Sequence, residues 1–292
     1  MNGVININKP KGITSFDVVF KIKKIAGEKK VGHTGTLDPL ATGVLPVCLG
    51  RSTKIIDFIM EGRKTYRVKL ELGIVTDTYD SEGTITEKND VSFVNERNVI
   101  SVINSFKGDI LQEPPMYSAL KQNGVRLYEL ARKGIEVERE KRPVTIYSIE
   151  NINIDLPYIS MDVTCSKGTY IRSLCFDIGR ALKTGAVMRA LTRLAAEPFR
   201  IENSVDLDSL DFETLKKNIV STEDALSAYE SLFLEEGYDR LLINGVKLLD
   251  PNFTKSSFNF DNIYKVYSYE RKFLGLGKRC DEGFKLLKNL ME

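Results

Sequence analysis

Residues 32–46 read GHTGTLDPLATGVLP, and this short stretch decides how the chain around it can fold. It contains the only histidine of the chain, His33, together with three glycines and a single acid, Asp38, which precedes Pro39. The proline ring disfavours helical backbone at Asp38, and glycines allow tight turns or the close approach of another group. Aspartate before proline is common at a helix start, so Asp38 taken alone favours a structural role. A single carboxylate on a rigid loop is also how a catalytic nucleophile is held, and both interpretations stay open at this point.

The composition is that of a globular protein. The chain has 292 residues, of which 42% are hydrophobic and 28% are charged, so it can form a well-buried core and more than one domain. No apolar run approaches the roughly 18 residues of a membrane helix, and the N-terminal residues lack the apolar segment of a secretory signal. The four cysteines are widely separated, without a C-x-x-C pair. This pattern predicts reduced thiols and a cytoplasmic protein.

The net charge of +2 hides a strong asymmetry along the chain. Residues 201–239 contain eleven acids and two bases, a net charge of −9, so the rest of the chain carries +11. A basic remainder suits a polyanionic partner such as a nucleic acid. From charge alone, a solvated charged face is the more ordinary interpretation.

Several kinds of catalytic site are excluded by the residue types present. One histidine rules out H-E-x-x-H and other multi-histidine metal sites, and the cysteine spacing offers no zinc cluster. The nucleotide-binding patterns G-x-x-x-x-G-K-[ST] and G-x-G-x-x-G and the hydrolase pattern G-x-S-x-G are missing from the sequence. Catalysis is therefore expected to use carboxylates, tyrosines, arginines and lysines, without a metal or cofactor.

The predicted elements mix helices and strands. Thr14 and Asp17 have capping-box spacing before an amphipathic helix that Gly27 ends. The segment KTYRVKLELG, residues 64–73, alternates strictly and predicts a half-buried strand with Tyr66 on its apolar face. Further helices are expected near 95–106, 168–185, 210–218 and 222–230, and further strands near 83–87, 143–154 and 158–165. Residues 107–142, interrupted by Pro114-Pro115, predict a long functional or disordered excursion, and short strands follow from about 235.

Three blocks of the sequence carry a resemblance to a known family. GHTGTLDPLATGVLP, then KTYR at 64–67, then SKGTYIRSL at 166–174 resemble the TruB-type tRNA pseudouridine synthases, with the blocks in family order. The resemblance runs from NKPKGITS at 8–15 to RLAAEPF at 193–199, and the C-terminal part only weakly resembles the family's small RNA-binding PUA domain. It implies an α+β fold, with a mainly antiparallel central sheet flanked by helices and a small C-terminal β-rich domain. The implied division is a catalytic domain over 1–232, with an RNA-clamping insertion at 107–142, and a PUA-like domain over 235–292.

The resemblance also implies an activity and a set of site residues. The family isomerises uridine 55 in the T-loop of tRNA to pseudouridine. The implied partner is the tRNA T-arm, with no cofactor, metal, membrane or guide RNA, and a monomer is expected. Asp38 would be the nucleophile, Tyr66 would stack on the target base, and Arg172 would pair with Asp38. The other residues implied to bind substrate are His33, Tyr170, Leu191, Lys9, Lys54 and Asp80, with Lys9 and Pro10 bracing the catalytic loop.

This chemistry agrees with the exclusions made from residue types. Pseudouridine formation breaks the N1–C1′ bond and joins C5 to C1′, so no atom enters and no cofactor is needed. The sequence does not choose between attack of the carboxylate at C6 and attack at C1′. Three alternatives remain: an RNA-binding module without chemistry, a guide-dependent relative that modifies ribosomal RNA, and an unrelated glycosidase with paired carboxylates. Guide-dependent relatives usually carry terminal extensions, whereas this chain is expected to end just after its small domain.

Overall fold

The computed structural model describes residues 1–122 and 124–291. Its strands are β1 Gly3–Lys9, β2 Val31–His33, β3 Thr42–Leu49, β4 Lys64–Leu72, β5 Ile74–Thr76, β6 Ile85–Lys88, β7 Gly108–Gln112, β8 Lys121–Gln122, β9 Val125–Arg126, β10 Arg142–Asp155, β11 Tyr158–Cys165, β12 Ala186–Ala196, β13 Phe199–Arg200, β14 Val205–Asp206, β15 Ser231–Phe233, β16 Ile263–Tyr267, β17 Phe273–Cys280 and β18 Gly283–Asn289. Its helices are α1 Ser15–Ala26, α2 Ile56–Met60, α3 Glu96–Ser105, α4 Leu127–Ala131, α5 Ile171–Ala181, α6 Phe212–Asn218 and α7 Tyr238–Ile243. Within the described part of the chain, no helix is long and apolar enough to cross a membrane.

A ten-stranded sheet forms the centre of the molecule, in the order β14-β1-β3-β12-β4-β11-β10-β7 with β13 beside β12 and β2 beside β3. Two of its strand pairs, β1 with β14 and β3 with β12, are parallel, and its other pairs are antiparallel. The predicted mixed fold with a mainly antiparallel central sheet is therefore confirmed.

The elements next to the opening loop form as their local sequence predicts. The Thr14 side chain accepts from the Asp17 backbone and the Asp17 carboxylate accepts from the Thr14 backbone, so the capping box is present. Gly27 ends α1 in the left-handed conformation with φ 60°. On β4 the alternation buries Val68 and Leu70, and the apolar faces of α1, α3 and α5 pack into the same core. Local pattern and burial therefore agree in these elements.

The first part of the acidic block at 201–239 packs on the large sheet, and its last part, from Ser231, belongs to the small sheet described below. Its leucines at 207, 210 and 215 are buried in the main core, and β14 pairs with β1. Helix α6 forms where it is predicted, but the helix expected near 222–230 is wrong, because only a short 3₁₀-helix over Asp224–Leu226 is present. The acids face outward while apolar residues between them anchor the block.

A small four-stranded sheet, β15-β16-β17-β18, forms the C-terminal β-rich unit. It has its own core around Phe253, Tyr264 and Phe284. Leu276 and Leu290 also pack in one buried cluster with residues of the large sheet. The sheet begins at Ser231, and the division of the chain at 232–235 stays a prediction.

The long excursion at 107–142 is packed at its root and exposed at its tip. Gln112 and Met116 are buried, whereas the β8 and β9 strands are exposed. Its role as an RNA clamp stays a prediction.

Candidate active site

The loop that carries Asp38 connects β2 to β3 and is fixed on both sides of the carboxylate. Ser15 Oγ accepts from the Leu37 amide at 2.8 Å and donates to the Leu37 carbonyl at 3.0 Å. On the other side, the Pro39 carbonyl accepts from the Gly12 amide at 2.8 Å. The Asp38 side chain between these contacts is 39% exposed. The carboxylate is therefore held by its neighbours and still open to a ligand.

Lys9 is a buried brace under this loop. Its Nζ donates to the carbonyls of Pro10 at 2.8 Å and Ile13 at 2.7 Å, and lies 3.5 Å from the Pro39 carbonyl oxygen. Burial lowers the pKa of Lys9 to about 8, although the Asp38 charge acts in the opposite direction. Lys9 thus joins the end of β1 to the residue that follows Asp38.

Gly43 shows why the opening stretch needs glycine. Its φ is 98°, and a Cβ at this position would lie 2.3 Å from the Arg193 carbonyl oxygen. β3 and β12 run side by side here, with Gly43 paired to Arg193. A larger residue could neither adopt this backbone easily nor allow the two strands to come so close.

Arg172 connects two carboxylates from distant parts of the chain. Its Nη2 lies 3.0 Å from Asp38 Oδ2, and its Nη1 lies 3.5 Å from Asp80 Oδ2. The same guanidinium donates to the carbonyls of Thr78 at 3.2 Å and Tyr117 at 2.8 Å. Arg172 is 6% exposed and Asp80 is 5% exposed, whereas Asp38 faces the solvent. A planar guanidinium suits this site because it can bind several acceptors at fixed angles.

The first turn of α5 and the root of the 107–142 excursion hold Arg172 in place. The Gln112 side chain donates to the Tyr170 carbonyl at 3.0 Å and accepts from the Tyr170 amide at 2.7 Å. Asp80 is oriented by the Thr78 hydroxyl at 2.7 Å and the Glu82 amide at 3.1 Å. The Asp38 loop, the turn at 78–80 and the 107–142 excursion therefore all contact the Arg172 guanidinium.

Tyr66 lies on β4, opposite Val163 of β11 and Arg193 of β12. Burial raises the pKa of its phenol, and the facing Arg193 lowers it through its charge and a hydrogen bond. The Asp38 charge also acts on this phenol. Tyr66 is therefore a neutral phenol at neutral pH, within electrostatic reach of the Asp38 carboxylate.

Two family models together cover most of the chain that contains this site. Residues 23–171 match the TruB family pseudouridylate synthase N-terminal domain, and residues 172–232 match the tRNA pseudouridylate synthase B C-terminal domain. The chain belongs to the TruB family. The resemblance seen in the sequence is thereby confirmed, and the protein is a pseudouridine synthase, which is an isomerase.

Relatives with known names are similar over their whole length. A tRNA pseudouridine synthase B from Clostridium perfringens strain SM101 is 57% identical over 293 residues, covering 100% of both chains. The proteins of the same name from Clostridium tetani and Clostridium acetobutylicum are 56% and 51% identical, covering 100% and 99% of this chain and 100% of each relative.

Solved structures of two RNA-related assemblies contain chains with the same fold. The chain is similar to one in a Cbf5-Nop10-Gar1 complex, with a TM-score of 0.77 and 28% identity over 99% of this chain and 85% of that one. A chain from an H/ACA RNP bound to a substrate RNA containing 2′-deoxyuridine has a TM-score of 0.75 and 26% identity, again over 99% of this chain and 85% of that one.

The structure brings some of the other predicted TruB-family site residues to the Asp38 loop and its sheet. Leu191 lies opposite Val68 on β12, 8% exposed, and so shares a sheet face with Tyr66. His33 Nδ1 accepts from the Gly35 amide at 3.2 Å, and burial, followed by the Arg193 charge, lowers the pKa of His33. A neutral His33 can therefore present a hydrogen-bonding ring without charge.

Tyr170 and Lys54 have different surroundings. Tyr170 precedes α5, and burial raises the pKa of its phenol, on which the charges of Arg172 and Asp38 also act. Lys54 lies on a 3₁₀-helix over Gly50–Ile55 and donates to the Asn289 carbonyl at 3.0 Å. This contact links the 3₁₀-helix that follows β3 to the small sheet. It does not bring Lys54 to the Asp38 carboxylate.

Sequence reasoning missed Arg193, which lies beside both Tyr66 and the Asp38 loop. β12 has register shifts between Met188 and Ala190 and between Arg193 and Ala195, so its sequence lacks a clean alternation. Arg193 is the first residue of the RLAAEPF segment that ends the family resemblance, and this position, two residues after Leu191, is the signal that could have drawn attention to it. In the described residues, no group of three or more His, Cys, Asp or Glu side chains is placed to hold a metal ion.

Proposed function

We propose that this protein converts uridine 55 in the T-loop of tRNA to pseudouridine, with Asp38 as the nucleophile. The observation that carries this proposal is the open Asp38 carboxylate, which lies 3.0 Å from the buried Arg172 guanidinium on a loop fixed at both sides. The names of its full-length relatives supply the tRNA substrate.

The geometry fits a reaction that needs a charged, oriented carboxylate. The carboxylate is the nucleophilic group, and the guanidinium beside it holds it in one orientation. Arg172 binds Asp38 through one nitrogen and Asp80 through another, so the carboxylate is held from one side and its exposed side is free. The same arrangement serves attack at C6 of the base and attack at C1′ of the sugar.

The target uridine must leave its stack before it reaches Asp38. Flipping a base out costs a few kcal/mol, and stacking on an aromatic side chain returns about 1 to 3 kcal/mol. Tyr66 can provide that stacking because its strand is paired on both sides, with β11 and β12. Leu191 on the same face and Tyr170 at the start of α5 would line the pocket, and His33 would contact the neighbouring nucleotides.

The surface of α1 next to the loop suits the phosphates and bases of tRNA. Phe16 is 72% exposed and Phe20 is 55% exposed, and Lys24 Nζ lies 5.4 Å from the centre of the Phe20 ring. Phe16 directly follows Ser15, which contacts Leu37 next to the nucleophile. Exposed aromatic rings with lysines bind nucleic acid through stacking and phosphate contacts. The exposed tip of the 107–142 excursion would close on the T-arm from another direction.

Asp38→Asn tests this function directly. Joining C5 to C1′ releases the C5 hydrogen, so an unmodified tRNA transcript tritiated at C5 of its uridines reports each turnover as released tritium. The variant should bind tRNA within about threefold of the wild type and release no tritium, because an amide keeps the shape and lacks the nucleophile. Asp57→Asn, at an exposed acid of α2, is the matched control and should react like the wild type. Tritium release by Asp38→Asn at the wild-type rate would refute the assignment.

The same assay separates the remaining alternatives. A guide-dependent enzyme would be inactive on tRNA alone. A glycosidase would release free uracil, and a binding module would release nothing from any substrate. Replacing uridine 55 by cytidine in the transcript should abolish tritium release. Release that persists would place the target at another uridine.

A further inference from the structure

Arg193 is a buried cation whose hydrogen bonds go to uncharged groups. It is 2% exposed, and among the ion pairs formed by the described residues none includes it. Taking a charge out of water costs several kcal/mol unless other groups compensate. An apolar residue would fill this space at a lower cost. The buried charge of Arg193 is therefore expected to have a specific role.

The guanidinium of Arg193 ties together the two ends of the Asp38 loop. Its Nε donates to the Val44 carbonyl at 2.6 Å, and its Nη2 donates to the Gly35 carbonyl at 3.2 Å. Gly35 lies three residues before Asp38, and Val44 lies in β3, where the loop has ended. Both hydrogen bonds come from one rigid, planar group. The guanidinium therefore links the two ends of the loop directly.

Arg193 also faces the aromatic residue of the site. Arg193 and Tyr66 are paired in register across β12 and β4, so their side chains lie next to each other on one face of the sheet. The charge of the guanidinium favours the ionised form of the Tyr66 phenol. The other groups that act on this phenol are the buried Cys165 of β11 and Asp38 of the loop.

The surroundings of Arg193 are otherwise positive. Its charge lowers the pKa of Lys9, His33 and Lys64, in each case after burial as the larger cause. Among the described residues whose pKa is shifted by the charge of Arg193, Tyr66 is the one whose ionised form this charge favours.

We propose that Arg193 is a positioning residue that holds the Asp38 loop and the Tyr66 hydroxyl in one arrangement and keeps a permanent positive charge at that hydroxyl. The inference rests on the proposed function, because it concerns how the nucleophile and the stacking tyrosine are held relative to each other. Arg193 acts on the reaction through these two residues.

Arg193→Gln and Arg193→Lys test the proposal in the full-length protein. Fluorotyrosine is incorporated throughout, fluorine NMR follows the titration of each tyrosine, and Tyr66→Phe identifies the Tyr66 signal by its loss. Glutamine removes the positive charge that favours the ionised phenol, so the Tyr66 signal should titrate at a higher pH than in the wild type. The single-turnover rate of Arg193→Gln should fall about 10- to 100-fold, and its affinity for tRNA should change by less than about threefold. Arg193→Lys keeps the positive charge, so its Tyr66 titration and its single-turnover rate should both lie between those of Arg193→Gln and the wild type.

Arg189→Gln is the matched control, since Arg189 lies on the same strand, is partly exposed and pairs with Glu71. It should leave the Tyr66 titration unchanged. An unshifted Tyr66 titration in a folded Arg193→Gln protein would overturn the proposal, as would the failure of both Arg193 variants to fold. If only Arg193→Lys folds, a wild-type rate would overturn the proposal, and a reduced rate with an unchanged melting temperature would support it.

The failure of this inference can be told apart from failure of the proposed function. The titration is read without substrate, so it remains informative even if the wild type does not modify tRNA. An active wild type with a Tyr66 titration that is independent of Arg193 would remove this inference alone.

Discussion

Arg172→Lys should reduce catalysis while leaving the fold nearly intact, because a single ammonium lacks the two separate nitrogens with which the guanidinium reaches both carboxylates. The guanidinium reaches Asp38 at 3.0 Å and Asp80 at 3.5 Å. Asp80 is 5% exposed and the Asp38 side chain is 39% exposed. Leaving a buried carboxylate unpaired costs about 3 to 5 kcal/mol, and a half-exposed one costs less. The ammonium should therefore stay with Asp80 and release Asp38.

The expected loss follows from the contact that Asp38 gives up. A hydrogen bond to a charged group contributes about 1.5 to 3 kcal/mol, and each 1.36 kcal/mol changes a rate tenfold. The single-turnover rate should fall about 10- to 150-fold on these values. Tritium release from tRNA, with enzyme in excess, measures this step without interference from product release. Arg189→Lys, at an arginine paired with Glu71 alone, is the control and should change the rate little.

Combining Asp80→Asn with Arg172→Lys tests the reasoning itself. Removing the buried carboxylate frees the ammonium for Asp38, so the double variant should react faster than Arg172→Lys alone. A double variant that is no faster, or a single variant with the wild-type rate, would refute the argument that the two acids compete for one cation. Thermal melts show how much of each variant is folded. If the loss of rate is fully explained by loss of folded protein, the argument that the two acids compete for one cation is refuted as well.

Two further predictions concern stability and are read from thermal unfolding. Gly43→Ala should destabilise the protein by about 2 to 4 kcal/mol, because the new Cβ would lie 2.3 Å from the Arg193 carbonyl. Gly108→Ala has the same φ of 98° with open space around it, so it should cost about 1 kcal/mol, and equal losses would contradict the close-approach argument. Burial raises the pKa of Asp177 to about 6, so the stability that its neutral form contributes is complete below about pH 4 and is lost as the pH rises through 6. Asp177→Asn should therefore be more stable than the wild type by about 1 kcal/mol at pH 7 to 8 and equal to it below pH 4, and a constant difference across this range would contradict the assignment.

Local patterns predicted the elements that hold the site. The capping box of Thr14 and Asp17 and the alternation of β4 act over a few residues, so they can be recognised without knowing the fold. The resemblance of three sequence blocks pointed to Asp38, Tyr66 and Arg172, and the structure places Arg172 on the Asp38 carboxylate. Lys54 stays a predicted substrate-binding residue, and in the structure its Nζ donates to the Asn289 carbonyl of the small sheet.

The pairing of distant segments was beyond the reach of those patterns. β12 lies between β3 and β4 in the large sheet, yet its register shifts break the alternation by which a strand is recognised. The same shifts bring Arg193 beside Tyr66 and against Gly43. The segments that make these contacts can be recognised in the sequence, but the sequence does not show that they meet.

The sequence by itself determined which side chains could perform the chemistry and which short elements would carry them, because capping, alternation and turn formation depend on neighbours along the chain. The tertiary structure alone decided that Arg172 is shared between an open and a buried carboxylate, and that Arg193 spans the loop of the nucleophile. Those contacts join residues 92 to 158 positions apart, and they exist only because strand register and burial bring these segments together.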